Sequence, residues 1–280
     1  MHQAVAAVVV TYNRRVVLRE TLRAVLSQTR PPDEVVVVDN GRADGSDDMV
    51  RHEFPGVVYL PMSDNLGYAA GLAAGMRHVI DRHEFIWLLD DDSRPAPPAL
   101  ERCLGVMGEI DRVGVVGLSG GTLVWGIPDH DDPGRLFTLA SGRSASEAHF
   151  SLVDGALVSA KAAREVGYPR EDFFLMMEDV EYTGRLWRAG WKVILLDEDL
   201  IDRGHMGSMA PLRHYYSARN HLVMALQHRS ARELVGWAYR QAKYIVAATL
   251  FSDQKAERIQ YRLRGAWDGA RRRMGRTHDQ

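Results

Sequence analysis

Cysteine is nearly absent from this sequence, and long hydrophobic runs are absent altogether. Cys103 is the single cysteine among 280 residues, which excludes disulfides within the chain and a cysteine-rich zinc site. The first apolar strand begins within a few residues of Met1, so we expect no cleaved leader. No apolar run approaches the roughly 20 residues that cross a bilayer. These features predict a globular protein of the reducing cytoplasm.

A strong charge of one sign and the common phosphate-binding loops are also lacking. The formal net charge is -2, so no basic field points to nucleic acid, and we expect no nucleic-acid partner. There is no G-x-x-x-x-G-K-[ST] segment, and T-Y-N-R stands where a dinucleotide-binding fold would carry G-x-G-x-x-G. A nucleotide would therefore have to be bound by other groups.

What the sequence does contain is an alternation of short apolar strands and amphipathic helices. Strands are predicted at 4–10, 35–38, 57–60, 85–89, 113–118, 152–158 and 192–196, and helices at 18–26, 46–52, 67–80, 97–110 and 179–189. This order is typical of an α/β protein with a doubly wound, mostly parallel sheet. Residues 119–150 are predicted to form a functional loop with short strands. From 212 to about 272 the pattern is helical.

Three consecutive carboxylates, Asp90, Asp91 and Asp92, follow the fourth predicted strand. At the carboxyl end of a parallel strand they would enter the crevice where open α/β sheets bind ligands, beside the ends of the first two strands. Adjacent carboxylates repel one another, and a hard divalent cation relieves that repulsion. An acidic turn before the next helix is the alternative, but the triplet favours a metal site.

The order of the motifs resembles that of the family 2 glycosyltransferases of GT-A fold, nearest to their rhamnosyl- and galactofuranosyl-transferase branch. The motifs are V-V-T-Y-N-R, V-V-D-N, N-L-G-Y-A-A-G, W-L-L-D-D-D, E-D-V-E-Y-T-G-R-L-x-x-A-G-W and then a lone histidine. The resemblance covers about residues 4–225. It implies a Rossmann-like GT-A sheet and an inverting transfer of a sugar from a nucleoside diphosphate to an acceptor hydroxyl, assisted by Mn²⁺ or Mg²⁺.

The resemblance also implies a set of donor-binding residues. Thr11 and Asp39 would lie around the base and ribose, with Tyr12, Asn13 and Arg14 nearby. A carboxylate at a strand end can accept a hydrogen bond from a ribose hydroxyl, but Asp39 can equally be a turn-forming residue before Gly41. Asn65 and Gly67 would lie against the donor. The alternative for Asn65 is a helix cap.

Metal ligands are implied in the same way. Asp92 would bind the metal, with Asp90 supporting it or holding the ribose, and Asp91 nearer the donor sugar. His205, between two glycines, resembles the single histidine that completes the metal site in this branch. A lone histidine is usually structural, and the chain has 11. One imidazole with carboxylate and diphosphate oxygens suits Mn²⁺ or Mg²⁺ better than zinc.

A second acidic pair, Glu178-Asp179, opens the helix at 179–189. Carboxylates at a helix start are commonly only caps. The resemblance maps Asp179 onto the catalytic base, which takes the proton of the acceptor hydroxyl; Glu181 is then a surface or supporting residue. Arg219, in Y-Y-x-x-R-N, is expected to reach the diphosphate, with pairing to a carboxylate as its alternative.

We therefore expect a catalytic domain over 1–211 and a helical appendage over 212–280. The donor would be a UDP- or dTDP-sugar, and the acceptor a glycan, a lipid-linked glycan or a natural product. A nucleotidyltransferase and a nonenzymatic nucleotide-sugar-binding protein are the competing hypotheses, and homo-oligomer formation is left open. Residues 233–273 carry an apolar stripe together with basic residues. Such a stripe most commonly packs on the catalytic domain, and the alternative is peripheral contact with the inner face of an anionic membrane. The stripe comprises Leu234, Trp237, Tyr244, Ile245, Ala248 and Phe251.

Overall fold

The computed structural model describes residues 3–41, 43–203, 211–251 and 255–277. Its strands, in chain order, are β1 (Val5–Thr11), β2 (Glu34–Asp39), β3 (Val58–Pro61), β4 (Phe85–Asp90), β5 (Ser93–Pro95), β6 (Val113–Gly117), β7 (Gly120–Val124), β8 (Ile127–Asp129), β9 (Arg135–Thr138), β10 (Ser144–Ala148), β11 (Phe150–Ser151), β12 (Ala156–Ser159), β13 (Lys192–Leu196) and β14 (Ile201–Arg203). The helices in these residues are α1 (Arg15–Leu26), α2 (Ser46–Glu53), α3 (Tyr68–Val79), α4 (Ala99–Glu109), α5 (Ala160–Val166), α6 (Glu178–Arg188), α7 (Pro211–Gln227), α8 (Ala231–Phe251) and α9 (Lys255–Ala270).

A nine-stranded sheet in the order β3-β2-β1-β4-β12-β6-β13-β10-β9 is the centre of the fold. The pairings make β12 and β10 antiparallel to their neighbours, so the other seven strands run in one direction. Successive residues of β1 alternate between two apolar layers, one on each face of the sheet. Burial on both faces explains why the strands are continuous Val, Ile and Leu runs rather than alternating patterns. The expected α/β, mostly parallel sheet with flanking helices is confirmed.

Helix α3 lies close to the sheet because of its glycines, as the spacing predicts. A Cβ at Gly71 would come within 2.6 Å of Val10 Cγ1, and one at Gly75 would overlap the side chain of Val8. Gly67 lies just before the helix, with φ of +92°. Any larger residue at 71 or 75 would push α3 away from β1.

The segment 119–150 contains more regular structure than a loop. Strands β9 and β10 extend the main sheet, while β7, β8 and β11 form a separate three-stranded sheet. Helix α5 was not predicted, although its signals are present in the sequence: Ser159 accepts a hydrogen bond from Ala162 N–H at its start, and Gly167 follows with φ of +85°.

The described part of the carboxyl-terminal region contains three helices, and part of the apolar stripe predicted there faces the protein. Trp237 Nε1 donates to Ala218 O (3.1 Å), Ala248 is buried, and Arg262 is buried beside Gln241. Packing on the protein is thus observed for Trp237 and Ala248, whereas Tyr244 of the same stripe is exposed. Among the described residues, no helix is long and apolar enough to pass through a bilayer.

Candidate active site

Three neighbouring strands deliver their carboxyl ends to one edge of the sheet. Thr11 pairs with Asp39 across β1 and β2, and Val10 pairs with Asp90 across β1 and β4, so the three ends are level. A cavity of about 680 Å³ lies at this edge. Eight of the residues predicted to bind donor or metal line it, namely Thr11, Tyr12, Arg14, Asn65, Gly67, Asp90, Asp91 and Asp92. The described residues that were predicted but are not among its lining are Asn13, Asp39, Asp179 and Arg219.

Asp91 is the anchored member of the acidic triplet. Its carboxylate accepts hydrogen bonds from Thr11 Oγ1 (2.8 Å) and Arg14 Nη1 (2.6 Å), and its main-chain oxygen accepts one from Thr21 Oγ1 (2.6 Å). Burial raises the pKa of Asp91 to about 6, although the charge of Arg14 opposes the shift. Asp91 therefore fixes the turn to the end of β1 while it lines the cavity, and its position nearer the donor sugar stays a prediction.

The side chains of Asp92 and Asp90 lie in different environments. Asp92 Oδ2 accepts a hydrogen bond from Arg14 Nη2 (3.0 Å), and a quarter of its side chain is exposed to the cavity. Asp90 is surrounded by protein: burial and then the charge of Asp154 raise its pKa well above the ordinary value. Within the described part of the chain, Asp90 Oδ1 has no hydrogen-bond partner. The Tyr68 hydroxyl opposes the rise in the pKa of Asp90, but the carboxyl stays in a cluster of negative charge.

Asp154 is a site residue that the sequence reasoning missed. It lies in the loop before β12 and lines the cavity, where its carboxylate accepts a hydrogen bond from Ser93 Oγ and one from Asp90 N–H (3.2 Å). A single aspartate in a Val-Asp-Gly turn gives no pattern that separates a site residue from an ordinary turn. Its position adds a fourth carboxylate to the triplet and increases the demand for a cation.

The hard oxygen donors at this edge fit Mg²⁺ or Mn²⁺ chemically. No group of three or more His, Cys, Asp and Glu side chains arranged to hold a metal occurs among the described residues. The predicted histidine ligand, His205, lies outside those residues. The orphaned oxygen of Asp90 and the crowded carboxylates are thus the observations that favour a cation, and the remaining ligands would come from elsewhere.

Two of the predicted donor residues hold backbone turns. Asp39 is fully buried, and its oxygens accept hydrogen bonds from Gly41 N–H (2.7 Å) and Tyr59 OH (2.6 Å). Asn13, with φ of +52°, accepts one from Ala43 N–H (3.1 Å). The turn-forming alternative for Asp39 is thus present in the structure, and its contact with a ribose stays a prediction.

Asn65 and Gly67 form the opposite wall of the cavity. Asn65 Oδ1 accepts a hydrogen bond from Gly67 N–H (3.1 Å), so it organises the start of α3 as well as lining the cavity. A Cβ at Gly67 would overlap the carbonyl oxygen of Phe174. The close approach that this glycine permits in the structure is therefore to the segment preceding α6.

The second acidic pair follows that segment, and its two carboxyls, of Glu178 and Asp179, point in different directions. Glu178 lines the cavity, is 7% exposed, and has an Oε2 without a partner among the described residues. Burial and then the charge of Asp179 raise its pKa to about 8. Burial also raises the pKa of Asp179, while a hydrogen bond from Val180 N–H (2.7 Å) and the charges of His130 and Arg240 lower it. Successive helix residues differ by about 100° in direction, which separates the two carboxyls.

The third carboxylate of this turn has a supporting role, as expected. Glu181 is buried and accepts two hydrogen bonds from Arg185, from Nε at 2.9 Å and Nη2 at 3.0 Å. Arg185 in turn donates to the carbonyl oxygen of Tyr168 (2.8 Å). A carboxylate so engaged is a poor proton acceptor, so Glu178 and Asp179 are the candidates for chemistry.

The expectation for Arg219 is wrong in this structure. Arg219 is fully buried and donates to the carbonyl oxygens of Phe173 (2.9 Å) and Gly275 (2.7 Å), with its guanidinium 4.8 Å from the ring of Tyr216. Arg213 lines the cavity instead. Six positions along a helix turn through about 600°, so the two arginines point in different directions, and the motif alone did not show which faced the ligand.

Comparisons with known proteins agree with this architecture. The model of the family described as glycosyl transferase family 2 matches residues 6–141. The galactofuranosyltransferase GlfT1 of Mycolicibacterium smegmatis is 35% identical over an alignment of 208 residues that covers 67% of each chain, so this chain spans about two thirds of that relative. The N-acetylglucosaminyl-diphospho-decaprenol L-rhamnosyltransferase of Mycobacterium tuberculosis is 23% identical over an alignment of 248 residues that covers 76% of this chain and 81% of that one.

A solved structure shows the same fold at low sequence identity. The mannosyltransferase PcManGT of Pyrobaculum calidifontis, in complex with GDP-Man and Mn²⁺, aligns with a TM-score of 0.62 and 18% identity. The alignment covers 96% of this chain and 88% of that one. The GT-A architecture expected from the sequence is confirmed, and the chain is a glycosyltransferase that belongs to glycosyl transferase family 2.

Proposed function

We propose that this protein transfers a sugar from a UDP- or dTDP-sugar to an acceptor hydroxyl with inversion at the anomeric carbon. The observation that carries the proposal is the carboxylate-lined cavity at the level ends of β1, β2 and β4. The names of the relatives favour a galactofuranose or rhamnose donor and a glycan, lipid-linked glycan or natural-product acceptor. A cavity of about 680 Å³ is large enough for a nucleotide-sized ligand.

Asp92 and Asp90, with His205, would hold the divalent metal, and the diphosphate would complete its coordination. Bound Mn²⁺ or Mg²⁺ supplies positive charge that stabilises the leaving diphosphate. The neighbouring structure with GDP-Man and Mn²⁺ supports this assignment by analogy of fold. Arg213 and Arg14, both in the cavity wall, are the protein's own cations for the diphosphate.

Asp179 is the proposed general base, which accepts the proton of the acceptor hydroxyl as that oxygen attacks the anomeric carbon. Burial raises the pKa of Asp179, and the nearby charges of His130 and Arg240 oppose that rise, a balance suited to proton transfer. Glu178, which faces the cavity, would lie on the donor side. This division would place base and leaving group on different sides of the sugar, as inversion requires.

Residues 1–211 would be the catalytic domain and 212–280 the helical appendage, working at the cytoplasmic face of a membrane. The outward face of α8 supports peripheral contact: Val235, Tyr239, Val246 and Leu250 are each more than half exposed and lie on one side of the helix. Glu233, the one acidic residue of the α8 sequence, instead pairs with Arg188 (3.3 Å) and His228 (2.6 Å). An exposed apolar face without carboxylates suits an anionic lipid surface.

A donor screen with Mn²⁺ tests the proposal. Thermal shift would rank UDP-, dTDP- and GDP-sugars, and product analysis with an acceptor would follow the ranked donor. A glycosyltransferase releases the nucleoside diphosphate, whereas a nucleotidyltransferase exchanges pyrophosphate. Stabilisation by a nucleotide sugar without any transfer or hydrolysis, across the acceptor classes above, would instead support the binding-protein hypothesis.

A further inference from the structure

The short loop at 174–177 connects the cavity wall to the acidic pair. Phe174, Leu175 and Met176 line the cavity, and the next residues are Glu178 and Asp179. Residues with a side chain rarely adopt the left-handed backbone conformation. Three of the four loop residues have positive φ, at 64°, 69° and 69°: Phe174, Met176 and Met177. A loop of this shape persists only when its surroundings hold it.

Asn220, on α7, binds the carbonyl oxygens of this segment. Its Nδ2 lies 3.0 Å from Phe173 O, 3.0 Å from Leu175 O and 2.8 Å from Met176 O. The amide has two N–H bonds, so three carbonyl oxygens share two protons. Asn220 is fully buried, where hydrogen bonds are stronger than at the surface. One side chain thus fixes the direction of three peptide groups immediately before the acidic pair.

Arg219 determines the orientation of that amide. Its Nε donates to Asn220 Oδ1 (2.9 Å), which turns Nδ2 toward the loop. The opposite orientation would place Oδ1 against three carbonyl oxygens, an arrangement without a proton to share. Arg219 itself donates to Phe173 O (2.9 Å) and is sandwiched near Tyr215 and Tyr216, with ring distances of 5.5 and 4.8 Å.

We propose that Arg219 and Asn220 are positioning residues for the transfer reaction, acting through the 174–177 loop. They hold the strained loop so that Glu178 stays in the cavity wall and Asp179 stays on the other side of the helix start. The inference rests on the proposed function for its effect on rate, but the loop contacts themselves are independent of the substrate. Reactive groups displaced by about 1 Å can lose about 10²-fold in rate, so the loop should affect turnover more than donor binding.

Asn220→Ala and the milder Asn220→Ser, which keeps one donor, provide the test. The matched control is Gln241→Ala, because Gln241 is also a buried amide, and its Oε1 accepts a hydrogen bond from Arg262 Nη1 (3.0 Å) that joins α8 to α9. Each variant would be measured for thermal midpoint, for kcat and donor KM, and for hydrogen–deuterium exchange of peptides covering 172–180. Asn220→Ser keeps the comparison valid if Asn220→Ala does not fold.

We expect faster exchange at 172–180 in the Asn220 variants and not in the control, with kcat lowered by about 10- to 100-fold and donor KM changed by less than about threefold. Asn220→Ser should lie between wild type and Asn220→Ala. Unchanged exchange at 172–180, or a loss of kcat that follows the thermal midpoint equally in the control, would overturn the proposal. A wild-type protein that transfers no sugar would refute the proposed function, while exchange would still decide whether the pair holds the loop.

Discussion

Replacing Asp179 by asparagine separates its proton-accepting role from its structural role. The side chain of asparagine has the same size, and its Oδ1 can keep the hydrogen bond that Val180 N–H donates at 2.7 Å. The buried carboxyl is also replaced by a neutral group, so the desolvation that raises the pKa of Asp179 no longer opposes folding. We therefore expect an equal or slightly higher thermal midpoint and unchanged donor affinity.

The expected loss of activity follows from the general-base role. Positioned proton transfer contributes about 10²- to 10⁴-fold in rate, which corresponds to about 3–5 kcal/mol of transition-state stabilisation. The wild-type rate should also depend on pH. A base works only when ionised, and burial raises the pKa of Asp179; kcat/KM should therefore fall as pH decreases through that raised pKa and level off above it.

The assay is release of the nucleoside diphosphate in the presence of acceptor, compared with donor affinity by thermal shift. Glu181→Gln is the control, because it changes a carboxylate in the same helical turn that is bound to Arg185 rather than placed for chemistry. Near-normal turnover of Asp179→Asn, with the loss of activity found in Glu178→Gln instead, would refute the assignment and make Glu178 the base.

Chelation should abolish transfer, and added Mn²⁺ or Mg²⁺ should restore the activity of the wild-type protein but not that of Asp92→Ala. Full activity in the presence of chelator would refute the metal assignment. Arg213→Ala should raise donor KM by about tenfold or more, since a hydrogen bond to a charged group contributes about 1.5–3 kcal/mol, and an unchanged KM would remove Arg213 from the site. Glu178→Gln should raise the thermal midpoint more at pH 7 than at pH 5. The pKa of Glu178 is about 8 in the folded state and 4.5 in the unfolded state, so the wild-type folded state loses stability as pH rises above 4.5, and the neutral glutamine avoids that loss. Tyr239→Ser with Val246→Ser should weaken salt-sensitive binding to anionic vesicles, and wild-type protein that binds no vesicle at low salt would exclude membrane contact.

The strand ends and the acidic triplet were predictable because they depend on local pattern. A strand buried on both faces must be apolar throughout, so the first polar residue after it marks where the chain leaves the core. Applied to β1, β2 and β4, this rule placed Thr11, Asp39 and Asp90 at one edge before the register was known. The strand positions were accurate to about one residue in these three cases.

The direction of individual side chains was not predictable in the same way. Asp39 and Asp154 both lie at turns, yet one is closed off by Gly41 and Tyr59 while the other reaches the cavity. Arg219 is on a buried face of α7 and Arg213 is not, and this depends on how α7 packs against α9 and the segment before α6. Such differences arise from tertiary packing, and the periodicity of one helix does not show which of its faces the neighbouring elements cover.

The separation of Glu178 from Asp179 connects the fold to the proposed inversion. An attacking hydroxyl and a leaving diphosphate must lie on opposite sides of the anomeric carbon, so the base cannot share the space that the diphosphate occupies. Glu178 faces the cavity with the acidic triplet, whereas Asp179 is affected by His130, beside β8, and Arg240, on α8. The acceptor would then enter between the small sheet of β7, β8 and β11 and the outward-exposed helix α8. A single helix start, held by the 174–177 loop, would thereby present one carboxyl to the donor and the next to the acceptor.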